Sequence, residues 1–323
     1  MLIKFLKKVA LLILLVIIGC SLFLFFVKPL IRSSNEYVAA SIDKEKRLAA
    51  LPSPKLVFVG GSNLSFGLDC ERISKVFNIS VVNMGLHGGL GLAFMLNETK
   101  DAIQKGDIII LSTEYFLAEG NKRLQAQTMD INPLSKKYFL LGKNDTKEAE
   151  SNSAIEKANQ QIRFYVADCQ RCSNGLFYKF IRDILTKFIA TPYLRSNFSK
   201  EGDMVGHLNM PQPKLVIGKK LEIIDYSKEI GQINGFVNFA RGRGASVYYV
   251  FPNHPQTAYD VSKGAIENFS SQMKSKLNCE IINTPETFLF PDKYYFDLLY
   301  HLNKEGRQKR TDIMIDLLKD KIF

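Results

Sequence analysis

The sequence predicts an α/β domain, with a parallel sheet of about five strands covered by helices on both faces, behind one N-terminal membrane-spanning helix. Three observations predict it. Short apolar runs rich in β-branched and aromatic residues alternate with longer segments of helical spacing. The first run, Leu56–Val59, leads directly into the glycine-rich turn Gly60-Gly61-Ser62, and strand ends of this kind collect ligands in parallel sheets. Ahead of everything lies Val9–Val27, a stretch without a charged residue.

As a helix, Val9–Val27 would extend about 28 Å, close to the hydrocarbon thickness of a bilayer. Lys4, Lys7 and Lys8 precede it, so the positive-inside rule holds residues 1–31 as a cytoplasmic tip and signal anchor, with everything after Lys28 outside. The apolar Leu22-Phe23-Leu24-Phe25-Phe26 disfavours a cleaved signal peptide and a lipoprotein signal ending at Cys20. Residues 32–54, mixed in charge and closed by Pro52 and Pro54, read as a juxtamembrane linker.

The globular domain then spans 55–323. After Leu56–Val59, strand-sized runs recur at Ser80–Asn83, Asp107–Leu111, Ser246–Phe251 and Glu280–Asn283. Helical spacing marks Leu90–Gln104, Ile223–Arg241, Ala265–Leu277 and Lys304–Lys319. Alternation of this kind implies a parallel sheet buried on both faces. An insertion at about 115–222 interrupts it, with a helix expected around Phe177–Ile189 and a loop at Asn197–Asp203, and reads as a lid or acceptor surface.

The 323 residues are 46% hydrophobic and 23% charged, enough to bury a substantial core. Much of the +11 formal charge flanks the anchor. No basic cluster interleaved with aromatics marks a nucleic-acid face, and Lys304, Arg307, Lys309 and Arg310 read as the wet side of a helix. Cys169 and Cys172 form an isolated pair, read as oxidised or simply free, with no second pair or nearby histidine to complete a metal site. No cofactor and no metal are expected.

In Gly60-Gly61-Ser62, two glycines permit a sharp turn and leave a serine hydroxyl at a strand end. A plain turn or a phosphate loop is written the same way, but the lysine of a P-loop is missing. Asn83-Met84-Gly85 follows the second strand, where the Gly85 amide could donate to an oxyanion. Near the end, Asp297 and His301 offer a carboxylate and an imidazole before the last helix. His87 reads as a cap or a packing residue, His207 as part of the insertion's acceptor surface, and Asn253-His254 as the edge of the cleft.

In this order of blocks the chain resembles the SGNH, or GDSL-type, hydrolases, in particular membrane-anchored extracytoplasmic members associated with cell-surface polysaccharide acylation. The resemblance runs from about Lys55 to the C-terminus, the insertion apart. It implies a three-layer flavodoxin-like sandwich, Ser62 as nucleophile, His301 as base, Asp297 as its orienting acid and Gly85 as an oxyanion donor. Gly60-Gly61-Ser62 matches the first block with Gly61 in place of aspartate, and the departures lie in the third block, where Ser112-Thr113-Glu114-Tyr115 replaces the oxyanion asparagine, and in the last. Asn63, beside the serine, is the expected substitute donor. The final pair is also spaced by three residues rather than two.

The expected activity is serine-dependent transfer or hydrolysis of an acyl group, with acetyl the expected one, on an envelope glycan outside the cytoplasmic membrane. An integral-membrane O-acyltransferase would be the donor partner. The alternatives are a catalytically degenerate domain that binds glycan or scaffolds a membrane complex, and a phosphate-binding α/β protein.

Overall fold

A computed structural model describes residues 2–32, 34–116, 119–140 and 191–322. Its centre is a five-stranded parallel sheet in the order β2-β1-β3-β4-β6, from β1 (Lys55–Gly60), β2 (Ser80–Asn83), β3 (Ile108–Ser112), β4 (Ser246–Tyr249) and β6 (Glu280–Ile281). A separate two-stranded sheet, unforeseen in the sequence, pairs β5 (His254–Pro255) with β7 (Leu289–Phe290).

The period-two projection of strand side chains explains the two cores. Leu56, Phe58, Val81, Ile108 and Ile110 pack on one side with residues of the helices Cys70–Phe77 and Lys304–Ile322. Val57, Val59, Val82, Ile109 and Leu111 pack on the other with residues of Leu92–Lys100, Ser227–Gly242 and Gln256–Lys276. Every residue of β1 is buried, as expected of a strand covered on both faces. Each fully buried large apolar side chain contributes about 1.5–3 kcal/mol. At the entry to the sheet, Lys55 Nζ meets Asp107 Oδ2 at 2.8 Å, so a buried ion pair joins the starts of β1 and β3.

Leu2–Arg32 is one helix, and its segment Leu2–Phe23 has a mean hydropathy of 2.4 with none of it buried, long and apolar enough to cross a membrane. The residues beyond this helix are not the linker expected from their composition. Val38, Ala39, Ala40, Ser41, Lys44 and Leu48 are buried within Tyr37–Ala39 and the helix Ala40–Ala50. Lys44 Nζ donates to the carbonyl of Asn83 at 2.7 Å, and burial lowers its pKa to about 8. Residues 34–50 therefore belong to the domain. Their mixed charge concealed a packing face.

The C-terminal helix brings a second correction. Lys304 and Lys309 are exposed, but Arg307 and Arg310 point inward, at 8% and 0% exposure. Arg307 donates to the Leu68 carbonyl and pairs with Asp203 at 3.2 Å, while Arg310 reaches beneath the Ser62 turn. Within the insertion, the loop Asn197–Asp203 clasps the domain: the Glu201 carbonyl accepts from the Asn83 amide at 2.7 Å, and Asp203 accepts from the Cys70 amide at 2.8 Å. His207 is likewise buried, donating through Nε2 to the Leu302 carbonyl at 2.8 Å, with its pKa lowered by burial to about 4. The helix expected at 177–189 and the Cys169/Cys172 pair lie outside the described residues.

Candidate active site

Ser62 opens the short helix Ser62–Ser65 directly after β1 and is half-buried. The preceding Gly61 has φ −100° and ψ −151°, an extended conformation open to any residue, so the sharp-turn argument does not explain it. Space does. A Cβ at Gly61 would lie 2.1 and 2.3 Å from the two carboxyl oxygens of Glu114.

The turn is held from below by a buried polar lattice. Arg310 donates through Nη1 to the Asn63 carbonyl and, at 2.7 Å, to Asn253 Oδ1, and through Nη2 to Asn63 Oδ1 at 2.9 Å. Burial lowers its pKa to about 10, still far above neutrality, so it remains a cation. The Asn63 side-chain amide donates to the Ser112 carbonyl at 2.9 Å, and its oxygen accepts from Ser112 Oγ at 3.1 Å. Bonded to Ser112 through both its nitrogen and its oxygen, and 0% exposed, the Asn63 side chain is not placed as the expected substitute oxyanion donor. It is a brace between β1 and β3.

Gly85 also takes a different role. Its amide donates to Asn83 Oδ1 at 3.0 Å, and a Cβ there would come within 2.6 Å of the Gly61 carbonyl. It lets the second strand's exit pack tightly on the Ser62 turn, and its amide is not free for a ligand. His87 accepts the Gly89 amide at 2.9 Å, the capping role, while its ring borders the cavity; burial and the nearby His301 lower its pKa. Asn253 and His254 are buried, Asn253 donating to the Tyr300 carbonyl at 3.3 Å rather than edging a cleft.

On the opposite side, His301 Nδ1 and Asp297 Oδ1 are 2.9 Å apart. This pairing assigns the ring proton to Nδ1 and leaves Nε2 with the lone pair. The Tyr193 hydroxyl donates to Asp297 Oδ2 and stands 3.2 Å from His301 Nδ1. Burial opposes ionisation of Asp297, but the bond and charge of His301 and the Tyr193 hydroxyl outweigh it, holding the carboxyl below its ordinary pKa. Phe66 lies flat against the imidazole, centroids 3.7 Å apart at 6°. The three-residue spacing of Asp297 and His301 is thus compatible with contact in an irregular segment that also bonds His301 N to the Leu298 carbonyl.

Ser62 and His301 line one cavity of about 480 Å³. Within the described residues, neither the hydroxyl nor the amide of Ser62 is hydrogen-bonded. Val38, Leu124, Phe116, Val216, Leu298 and Leu299 give the cavity an apolar wall, and Glu36, Gln127 and Glu114 supply polar groups. Tyr193, Phe66 and Glu114 were not assigned to the site from sequence; only the position of Glu114 in the third block gave any signal. No group of three or more metal-ligating side chains occurs among the described residues. Compared with known proteins, the chain matches no family model and no curated sequence.

Proposed function

We propose that this is an SGNH-type serine acyltransferase or ester hydrolase acting on an envelope glycan, held outside the cytoplasmic membrane by its N-terminal helix. The observation that carries the reading is the convergence of Ser62 and His301 on one cavity, with Asp297 bonded to the far nitrogen of the imidazole. The strand order and the burial of both sheet faces favour the flavodoxin-like three-layer arrangement that the resemblance implies. The apolar wall suits an acyl group, and the polar groups at Glu36 and Gln127 suit sugar hydroxyls.

In the proposed reaction, Ser62 Oγ attacks the ester carbonyl carbon and its proton passes to His301 Nε2. The C–O bond to the leaving group then breaks, and the departing oxygen takes that proton from His301, leaving an acyl-Ser62 ester. A sugar hydroxyl or water, deprotonated by His301, attacks the acyl carbon; the bond from that carbon to Ser62 Oγ breaks, and Oγ takes the proton back from His301. Asp297 keeps the imidazole oriented and stabilises its cationic form, with Tyr193 bonding the carboxylate's second oxygen. An integral-membrane O-acyltransferase would supply the acyl donor at the same membrane.

The second reading, a degenerate glycan-binding or scaffolding domain, is favoured by one observation: a carboxyl group at Glu114 where the family carries a neutral amide. Incubation with an activated acetyl ester followed by mass spectrometry separates the two. Acetyl on Ser62, discharged faster when a glycan acceptor is added, supports transfer. Discharge at the same rate by water alone supports hydrolysis, and no acetylation of folded protein supports the scaffold.

A further inference from the structure

We propose that Glu114 supplies the missing side-chain oxyanion donor, as a carboxylic acid kept neutral beside Ser62 that donates its O–H to the carbonyl oxygen of the bound ester. This rests on the Ser62 reading. The carboxyl group follows β3, is 1% exposed, and lines the cavity that Ser62 and His301 also line. It sits against both neighbours of the serine. Oε1 accepts from the Asn63 amide at 3.3 Å, and the carboxyl atoms fill the space a side chain at Gly61 would require.

The glycine of the first block and the glutamate of the third are therefore one change. Gly61 leaves room for Glu114, and Glu114 occupies the place of the asparagine. The Ser62 amide remains as a backbone donor, while the other candidates are committed elsewhere, Asn63 to Ser112 and Gly85 to Asn83.

An ionised carboxylate there would repel the developing oxyanion, so the role requires the protonated form. The surroundings favour it. The Arg310 guanidinium is directed at Asn63 and Asn253 and makes no hydrogen bond to Glu114. Tyr37, Tyr249, Tyr300, His87 and His301 are the other titratable groups around it, none of them a fixed cation. Burial raises the Glu114 pKa, while bonds from Asn63 and the charge of Arg310 offset this only in part. In its protonated form the acid donates without giving up its proton, and its hydrogen bond strengthens as the carbonyl oxygen gains charge. The Ser62 proton still goes to His301.

The test is fluorophosphonate labelling of the full chain in detergent, comparing wild type with Glu114→Gln, Glu114→Ala and Ser62→Ala across pH, beside thermal melts. Glutamine retains a neutral donor, so its labelling rate at neutral pH should stay within about threefold of wild type, whereas alanine should lose about a hundredfold. Wild type should slow as pH rises through the Glu114 ionisation, and Glu114→Gln should lack that alkaline limb. Equal loss in folded glutamine and alanine variants overturns the proposal, as does an alanine variant that labels normally. Infrared difference spectra provide a second readout: a protonated-carboxyl band at neutral pH, absent in Glu114→Gln, is expected, and its absence from wild type overturns the neutral acid. Failure of the Ser62 reading is distinct, appearing as wild type that carries no adduct at Ser62.

Discussion

The two sides of the cavity are built by different means. Ser62 rides on the end of β1, and its turn is fixed by Arg310, Asn63 and Ser112, all buried and all bonded to one another or to backbone. His301 belongs to an irregular segment and is held by contacts to its own ring: Asp297 and Tyr193 at Nδ1, and Phe66 across its face. Ser62 is thus positioned by the fold, and His301 by its side-chain neighbours. A change beneath Ser62 should damage stability first, while a change around His301 should damage chemistry first.

The largest expected effects on activity come from the proposed nucleophile and base. Ser62→Ala and His301→Ala should each lower acyl-enzyme formation on the order of 10⁴-fold with unchanged melting temperature. Loss of fold in His301→Ala would break the contrast. Beneath the serine, Arg310→Met leaves buried acceptors on Asn63 and Asn253 without their donor, and should cost about 3–5 kcal/mol in denaturant unfolding. A variant within about 1 kcal/mol of wild type would show that the lattice does not hold the turn.

Tyr193→Phe removes one bond to an ionised carboxylate, equivalent to about 1.5–3 kcal/mol, and should reduce kcat roughly ten- to a hundredfold with a small effect on melting temperature. A large loss of stability instead would mean that the insertion supports the fold rather than the base. The stability of Glu114→Gln should show a pH dependence relative to wild type. Because the folded pKa of Glu114 is raised, the native state binds its proton more tightly than the unfolded chain. Its stabilisation is full below the unfolded pKa and lost as pH rises through the folded value. Wild type should therefore lose stability relative to the glutamine variant with rising pH, measured as paired melts. The smallest effect is expected at Lys304, exposed on the same helix as Arg310, where alanine should change stability by no more than about 0.5 kcal/mol.

The sheet was legible because its evidence is local. The runs at Leu56–Val59 and Ile108–Leu111 carry β-branched or aromatic side chains at strand length, and burial on both faces makes them continuously apolar. Ser62 and the Asp297/His301 pair were legible for a similar reason, since a glycine-flanked serine after a strand and a carboxylate near a histidine are short patterns. The remainder depends on contacts that no local window contains. Arg310 bonds Asn63 from 247 residues away, and Tyr193 meets Asp297 across 104. Arg307 and Arg310 were misplaced for the same reason: charge alone assigns a residue to solvent until its buried acceptors are known. Gly61 was assigned to its turn on backbone grounds, whereas its need for a small residue comes from Glu114, 53 positions later.

The most direct test of the central claim is fluorophosphonate labelling of the full-length protein, with the adduct located by mass spectrometry in wild type, Ser62→Ala and His301→Ala. One adduct is expected, on Ser62, absent from the first variant and nearly absent from the second. An adduct on another residue, or labelling of Ser62 that persists undiminished without His301, would contradict the triad.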